Sequence, residues 1–236
     1  MRFRHLLVLA LIGCGFAYAQ VEGLEARSVE IEGTVVEYLY IVPDGFTPGG
    51  TYPVLLLLPP GHSAGMATTE LDVRWHDASA RGWVVASPLA PIDPVLRLEV
   101  ISFRGSEALI PPLLDHLADE VTFEGGRAHL AGVASSGGKA ALRIATLFPE
   151  RFRSLLVLAG WAEDVDFERI SVLAETPVRL YVGENDVEHL EPITTTYEAM
   201  VEAGVGVDLV VVDGDGHRLP SLGGAELFDW LDAQRP

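Results

Sequence analysis

Three residues of the types that catalyse acyl transfer stand in separate loops of this chain: Ser135, Asp186 and His217. A serine hydroxyl is a poor nucleophile at its own pKa and needs a histidine to accept its proton. The histidine in turn needs a carboxylate that holds its tautomer and stabilises the imidazolium. The three residues therefore predict catalysis through an acyl-enzyme, provided that the fold brings their loops together.

Each of these loops follows an apolar run that has the length of a buried strand. The runs are Ala128 to Ala134, Val178 to Val182 and Val207 to Val212. Ligands of open α/β sheets bind outside the carboxyl ends of the strands, so the three loops should meet at one edge of the sheet. The segment after Ala134 has helical spacing, which predicts a strand, a sharp turn that carries Ser135, and a helix.

The rest of the pattern predicts an α/β fold, with a mostly parallel central sheet and helices on both faces. Val54 to Leu58 carries no polar residue, as expected for a strand that is covered on both faces. Two β-rich segments around Glu32 and Gly33 predict an opening antiparallel pair. Strands then alternate with helical segments, which indicates right-handed βαβ units. The predicted helices cover 69–81, 111–120, 166–174, 192–203 and 225–233, and further strands cover 83–86 and 154–159.

Composition limits the number of domains and the kinds of partner. The chain has 236 residues, 49% of them hydrophobic, which suffices for one sizeable core and one domain over residues 20–236. Its 34 acidic residues outnumber its 16 Lys plus Arg, and the net charge of −18 repels nucleic acid and anionic membrane surfaces. We therefore expect neither as a partner.

Residues 1–19 have the composition of an export signal. Arg2 and Arg4 form a charged beginning, an apolar run follows, and the sequence AYA at 17–19 matches a cleavage site. Removal of this segment predicts a secreted or periplasmic protein that has no cysteine and does not insert into the membrane. Processing as a lipoprotein at Cys14 is the alternative, because LIGC resembles a lipobox.

The sequence resembles the α/β-hydrolases, in particular secreted esterases without a lid: feruloyl esterases, polyhydroxybutyrate depolymerases, dienelactone hydrolases and the so-called predicted peptidases. The resemblance rests on the segments PVLLLLPPG, ASSGG, VGEND and DGDGH, which follow one another along nearly all of the mature chain. It implies that Ser135 is the nucleophile, Asp186 the acid and His217 the base.

The nucleophile position departs from the family pattern Gly-x-Ser-x-Gly. With Ser135 as the nucleophile, Val133 stands where a small residue is expected, whereas Gly137-Gly138 supplies the glycine pair that follows the nucleophile in the family. Two other frames stay open. One makes Ser136 the nucleophile, and the other puts Ala134 in the nucleophile's place and predicts a protein without catalysis.

The oxyanion of a tetrahedral intermediate needs two preorganised donors. The backbone N–H of Ser136, the residue after the nucleophile, is the first candidate. By the resemblance, the second donor lies in the loop after the Val54 to Leu58 strand, at the N–H of His62 or Ser63. In that loop Pro60 replaces the histidine that is usual in the family.

Other polar and aromatic residues have simpler explanations. His76, His116 and His129 fall in predicted helices or at a strand start, and no pair of histidines has metal-ligand spacing, so neither a metal nor a cofactor is expected. Asp164 is a second candidate for the acid. Trp161 follows a strand end and is expected near the site.

The sequence predicts an open site, because only residues 160–177 lie between two predicted strands where a lid domain would be inserted. Lys139, the only lysine, either faces another side chain or contacts an acidic group of a substrate.

We predict an exported serine carboxylesterase that acts on short or polymer-attached esters. One alternative is a peptidase or other acyl hydrolase on the same fold. Another is a binding protein that has lost the nucleophile elbow, the sharp turn that carries the catalytic serine.

Overall fold

The structure is a computed structural model that describes residues 21, 23–61, 63–91, 103 and 105–236. The predicted export signal, Cys14 and the candidate oxyanion donor His62 lie outside the described residues. Within the described ranges, no helix has the length and apolar character needed to cross a membrane.

The described part of the chain contains ten strands and six α-helices. The strands are β1 Glu25–Ile31, β2 Thr34–Ile41, β3 Thr51–Tyr52, β4 Val54–Leu58, β5 Val84–Pro88, β6 Thr122–Phe123, β7 Ala128–Val133, β8 Phe152–Leu158, β9 Val178–Gly183 and β10 Val207–Val212. The helices are α1 Ala64–Arg74, α2 Ile110–Ala118, α3 Ala134–Leu147, α4 Asp164–Phe167, α5 Leu190–Glu202 and α6 Gly224–Ala233. Short 3₁₀ turns lie at Glu107–Leu109, Glu124–Gly126, Pro149–Arg151 and Ile170–Leu173.

Eight strands form one sheet in the order β1-β2-β5-β4-β7-β8-β9-β10, while β3 and β6 form a separate pair. β2 is antiparallel to both β1 and β5, and all pairs from β5 to β10 are parallel. This topology confirms the predicted α/β class, with its mostly parallel sheet and antiparallel opening pair.

Two hydrophobic clusters cover the two faces of the sheet. Leu56 and Leu130 belong to the cluster that includes residues of α2, α3 and α5, whereas Leu55 and Leu57 belong to the cluster with α1 and α6. Successive residues of a strand point to opposite faces, so both faces of β4 need apolar side chains. That requirement explains why the central strands are apolar runs without polar alternation.

Two predicted helices differ from the observed ones. Helix α1 begins before the predicted 69–81 segment, because Ser63 caps its N-terminus and accepts a 3.3 Å hydrogen bond from the N–H of Met66. It also ends earlier than predicted, at Arg74, and turns follow it up to Gly82. The helix predicted over 166–174 is divided into α4 and the 3₁₀ turn Ile170–Leu173. The small β3–β6 pair was not predicted, since two-residue strands have no periodicity to detect.

Candidate active site

The turn that carries the serines has no residue between strand and helix, because β7 ends at Val133 and α3 begins at Ala134. Ala134 has φ = 57°, in the left-handed region that residues with a Cβ rarely adopt. A nucleophile elbow is a sharp, strained turn of this kind, with the nucleophile at its strained position. In this turn the strained position belongs to Ala134, one residue before Ser135.

Close backbone packing surrounds the turn. A Cβ on Gly132 would lie 2.3 Å from the carbonyl oxygen of Gly137, and a Cβ on Gly137 would lie 2.4 Å from the carbonyl oxygen of Leu58. Gly132 therefore occupies the place of the first glycine in Gly-x-Ser-x-Gly, counted from Ala134. This geometry matches the frame in which alanine stands in the nucleophile's place.

Ser135 and Ser136 lie in the first turn of α3, and both are partly exposed. The Oγ of Ser136 accepts a 2.8 Å hydrogen bond from the N–H of Gly61, in the loop after β4. Ser136 thus joins the two loops that carry the candidate oxyanion donors. Ser135 makes no side-chain hydrogen bond to His217 or to any other described residue, and its role as the nucleophile stays a prediction.

The candidate acid and the candidate base are in direct contact. His217 Nδ1 donates a hydrogen bond of 2.7 Å to Asp186 Oδ2. Asp186 follows β9 and is only 5% exposed, so imidazole donors replace water around its carboxylate. With Nδ1 engaged in this way, His217 Nε2 is the nitrogen available to a nucleophile or a substrate.

Gly183 allows the loop that carries the histidine to approach the end of β9. A Cβ on Gly183 would lie 2.4 Å from the carbonyl oxygen of Asp215 and 2.5 Å from that of Gly216. The N–H of Asn185 donates to the Asp215 carbonyl at 2.7 Å, which ties the two loops together. The Asp215 carboxylate accepts from the N–H and the hydroxyl of Ser221, at 3.0 and 2.8 Å. The position of the histidine therefore depends on backbone contacts between the two loops.

Arg74, at the end of α1, binds the backbone of the loop that carries His217. Its guanidinium donates to the carbonyl oxygens of Arg218 and Leu219 at 2.5 and 3.0 Å, and it pairs with Glu70 at 2.5 Å. Burial raises the pKa of Glu70, and the attraction of Arg74 opposes that rise. This buried pair fixes the backbone that follows His217.

A second histidine shares the same carboxylate. His189 Nδ1 donates to Asp186 Oδ1 at 2.7 Å, so each carboxylate oxygen faces one imidazole. The centroids of the His189 and His217 rings are 4.4 Å apart, and His189 also stacks on Trp161 at 4.8 Å. The sequence analysis did not single out His189. The spacing Asp186-x-x-His189, which places the two side chains within one turn, is the signal that points to it.

Trp161 stacks on His189, close to the candidate site, as its position after a strand end predicts. Lys139 Nζ is 5.0 Å from the centroid of the Trp161 ring and 3.3 Å from Glu163 Oε1, so this lysine faces other side chains. Asp164, the second candidate for the acid, begins α4 and makes no hydrogen bond to His217 in the described structure. Of the two candidate acids, the one that contacts His217 is therefore Asp186, in the loop after β9.

The candidate oxyanion donors lie at the turn and in the loop after β4. The N–H groups of Ser135 and Ser136 are in the first turn of α3, where backbone donors have no intrahelical acceptor. Ser63 is exposed and caps α1 with its side chain. The second donor, at His62 or Ser63, stays a prediction.

A cavity of about 600 Å³ opens next to Trp161. Phe167, Pro192 and Thr195 line it together with three acidic residues of the loop after β8 and the start of α5. These acidic residues are Glu163, Asp164 and Glu191. Neither His189 nor His217 lines this cavity, and Trp161, which stacks on His189, is the residue that connects it to the Asp186–His217 contact.

Solved structures with the same fold are esterases, other hydrolases and peptidases. A thermostable esterase superposes with a TM-score of 0.72 at 16% identity, over 92% of this chain and 64% of the esterase. An S-formylglutathione hydrolase from Agrobacterium tumefaciens gives 0.65 at 19% identity, over 94% and 97%. Dipeptidyl peptidase 4 of Porphyromonas gingivalis gives 0.68 at 16% identity, over 89% of this chain and 34% of the peptidase. The chain therefore has the α/β-hydrolase fold.

These similarities concern the fold. The chain spans less than two thirds of the length of the thermostable esterase and about a third of the peptidase. No protein-family model matches the sequence, and no curated protein matches it either.

Proposed function

We propose that this protein is a serine-dependent acyl hydrolase, and in particular an exported carboxylesterase. The observation that carries the proposal is the 2.7 Å hydrogen bond between His217 Nδ1 and the buried carboxylate of Asp186. A carboxylate in this position keeps the lone pair of the imidazole on Nε2 and stabilises the imidazolium that forms when a proton is taken up. Esterases and an S-formylglutathione hydrolase among the structures of the same fold support an acyl group as the target.

In the proposed reaction, Ser135 Oγ attacks the carbonyl carbon of the ester while His217 Nε2 accepts the hydroxyl proton. The tetrahedral intermediate collapses, the alcohol leaves with the proton from His217, and water then hydrolyses the acyl-enzyme by the same route. The N–H of Ser136 is the proposed first donor to the oxyanion, and the N–H of His62 or Ser63 the second.

The proposed substrates are short esters or esters attached to a polymer. Between β8 and β9 the described chain contains only α4 and a 3₁₀ turn, which supports an open site. Export rests on the sequence of residues 1–19, with lipoprotein processing at Cys14 as its alternative. Nothing in the composition favours nucleic acid or a membrane as the partner.

A binding protein without catalysis is the second candidate, and Ala134 is the observation that favours it. The methyl group of Ala134 stands at the strained position of the turn and cannot attack a carbonyl. Ser135 is one residue further along the chain, and its hydroxyl makes no hydrogen bond to His217 among the described residues. On this alternative, Asp186 and His217 keep their contact but have no nucleophile to serve.

Labelling with a fluorophosphonate, followed by peptide mass spectrometry, distinguishes the two candidates. The proposal expects the label on Ser135 and its loss in the Ser135→Ala and His217→Ala variants. Label on Ser136 would keep the mechanism and change the nucleophile. The informative comparison is Ala134→Ser: if only this variant is labelled, at residue 134, the natural protein lacks a nucleophile and the binding candidate is correct.

A further inference from the structure

We propose that Asp186, His189 and His217 form a binding site for a divalent transition-metal ion of the Zn²⁺ type. One ring nitrogen of each histidine and one oxygen of the carboxylate lie within 4.8 Å of one another. Zn²⁺ holds nitrogen and oxygen ligands at roughly 2.0–2.2 Å, so ligand atoms of a tetrahedral shell are roughly 3.4 Å apart. Small side-chain adjustments therefore bring the three atoms into the first coordination shell of one ion.

The donor types select the class of metal. Two imidazoles and one carboxylate suit Zn²⁺, Co²⁺, Ni²⁺ or Fe²⁺, whereas Ca²⁺ and Mg²⁺ prefer shells of oxygen atoms. Three protein ligands also leave a fourth tetrahedral position for water or for a ligand. Histidine spacing along the sequence does not predict this site, because the two histidines come from different loops.

Contacts within the cluster and with its neighbours hold the ligands in place. His189 is stacked on Trp161 and against His217, and its backbone N–H donates to the carbonyl of Asp186 at 3.0 Å. The loop that carries His217 is tied to the end of β9 at Asn185. Restricted side chains lose less conformational freedom when an ion binds. The net charge of −18 also raises the concentration of cations near the protein surface.

Occupancy by a metal and the proposed proton transfer exclude each other. An ion that coordinates His217 and Asp186 separates the base from its orienting carboxylate or takes the lone pair that accepts the serine proton. Zn²⁺ is therefore expected to inhibit the proposed hydrolysis. The metal site itself is independent of that reaction, since ion binding is measured without turnover.

The test is metal binding to the tag-free protein, followed by the visible absorption of Co²⁺ and by calorimetry with Zn²⁺. We expect one Co²⁺ per chain with the ligand-field bands of a nitrogen and oxygen shell, and displacement of Co²⁺ by Zn²⁺. His189→Gln should weaken binding by at least about tenfold. The matched control is His76→Gln, because His76 is exposed and lies outside the cluster, and this variant should bind as the natural protein does.

The proposal is overturned if His189→Gln binds the ion as tightly as the natural protein, or if His76→Gln removes binding to the same extent. Far-ultraviolet circular dichroism shows whether each variant is folded. If His189→Gln does not fold, Asp186→Asn replaces it, since it keeps the size of the side chain and removes the charged ligand. Failure of fluorophosphonate labelling would leave this outcome unaffected, so the two proposals fail separately.

Discussion

The two sides of the candidate site differ in how complete they are. On the side formed by the loops after β9 and β10, the proposed acid and the proposed base are hydrogen-bonded, and backbone contacts hold their loops together. On the side formed by the β7–α3 turn, the strained position carries the methyl group of Ala134. The positive φ occurs with an alanine at this position, so this backbone conformation does not require a serine. The backbone of an elbow can thus be kept while its nucleophile changes.

The largest expected effect is a loss of activity when the contact between Asp186 and His217 is changed. Asp186→Asn keeps the shape of the residue but lets His217 adopt the wrong tautomer, and we expect a loss of about 10⁴-fold in kcat with an activated ester. Asp213→Asn, an exposed residue of the histidine loop, is the control and should lose little. Equal losses in the two variants would show that the loop responds to any change of charge, and the assignment of the acid would fail.

The stability of the protein in acid tests a buried histidine on β7, the strand that precedes the turn with the serines. His129 on β7 is buried, accepts or donates a 2.8 Å hydrogen bond with Ser154, and burial lowers its pKa to about 3. In the unfolded chain the His129 imidazole takes up a proton below about pH 6.5, whereas in the native state it stays neutral until about pH 3. The free energy of unfolding should fall as the pH decreases through this window, by at most about 1.4 kcal/mol per pH unit.

Urea unfolding at several pH values measures this slope, and His129→Gln provides the comparison because glutamine does not titrate. The variant should lose most of the slope between about pH 6.5 and pH 3. An unchanged slope would mean that other groups cause the acid sensitivity.

Gly183→Ala tests whether backbone contact positions the base. The new Cβ would meet the carbonyl oxygens of Asp215 and Gly216, which cannot move as a flexible side chain does. We expect a destabilisation of about 1–3 kcal/mol and a larger fractional loss of activity than of stability. Gly216→Ala is the matched control, since a Cβ there meets no atom within 4 Å. Thermal unfolding of the two variants decides between steric displacement and a general intolerance of alanine in this loop.

The smallest effect concerns the link between the two loops of the nucleophile side. Ser136→Ala removes the acceptor of the Gly61 N–H and should cost about 1 kcal/mol of stability. Ser135→Ala should leave stability nearly unchanged, because the hydroxyl of Ser135 has no hydrogen-bond partner among the described residues. If the two variants are equally stable, the 2.8 Å bond contributes nothing measurable and the difference between the two serines disappears.

The sequence predicted the parts of the fold that depend on burial. β4 begins and ends where its apolar run does, because a strand that is covered on both faces has no room for polar residues. β10 also matches its predicted bounds, although it is an edge strand that is only partly buried and carries Asp208. The contact between Asp186 and His217 was also predictable, since both residues follow neighbouring parallel strands. What stayed open depends on backbone conformation. Nothing in the composition of the turn reveals that the positive φ falls on Ala134 instead of Ser135.

His189 escaped prediction for a related reason. Its role depends on the loop after β9 turning tightly enough to place its ring between Trp161 and His217, and side-chain type alone does not determine that turn. The start of α1 was misplaced because its cap, Ser63, comes directly after a loop rich in proline and glycine.

The alanine at the strained position of the β7–α3 turn has a consequence for the history of the gene. Every alanine codon (GCN) becomes a serine codon (TCN) by exchange of its first base, and a TCN serine codon returns to alanine by the same single exchange. Because the turn keeps its backbone with alanine in place, a single nucleotide substitution at codon 134 separates an elbow with a hydroxyl from one without. A population that carries this gene can therefore exchange alanine and serine at position 134 without an intermediate whose protein fails to fold.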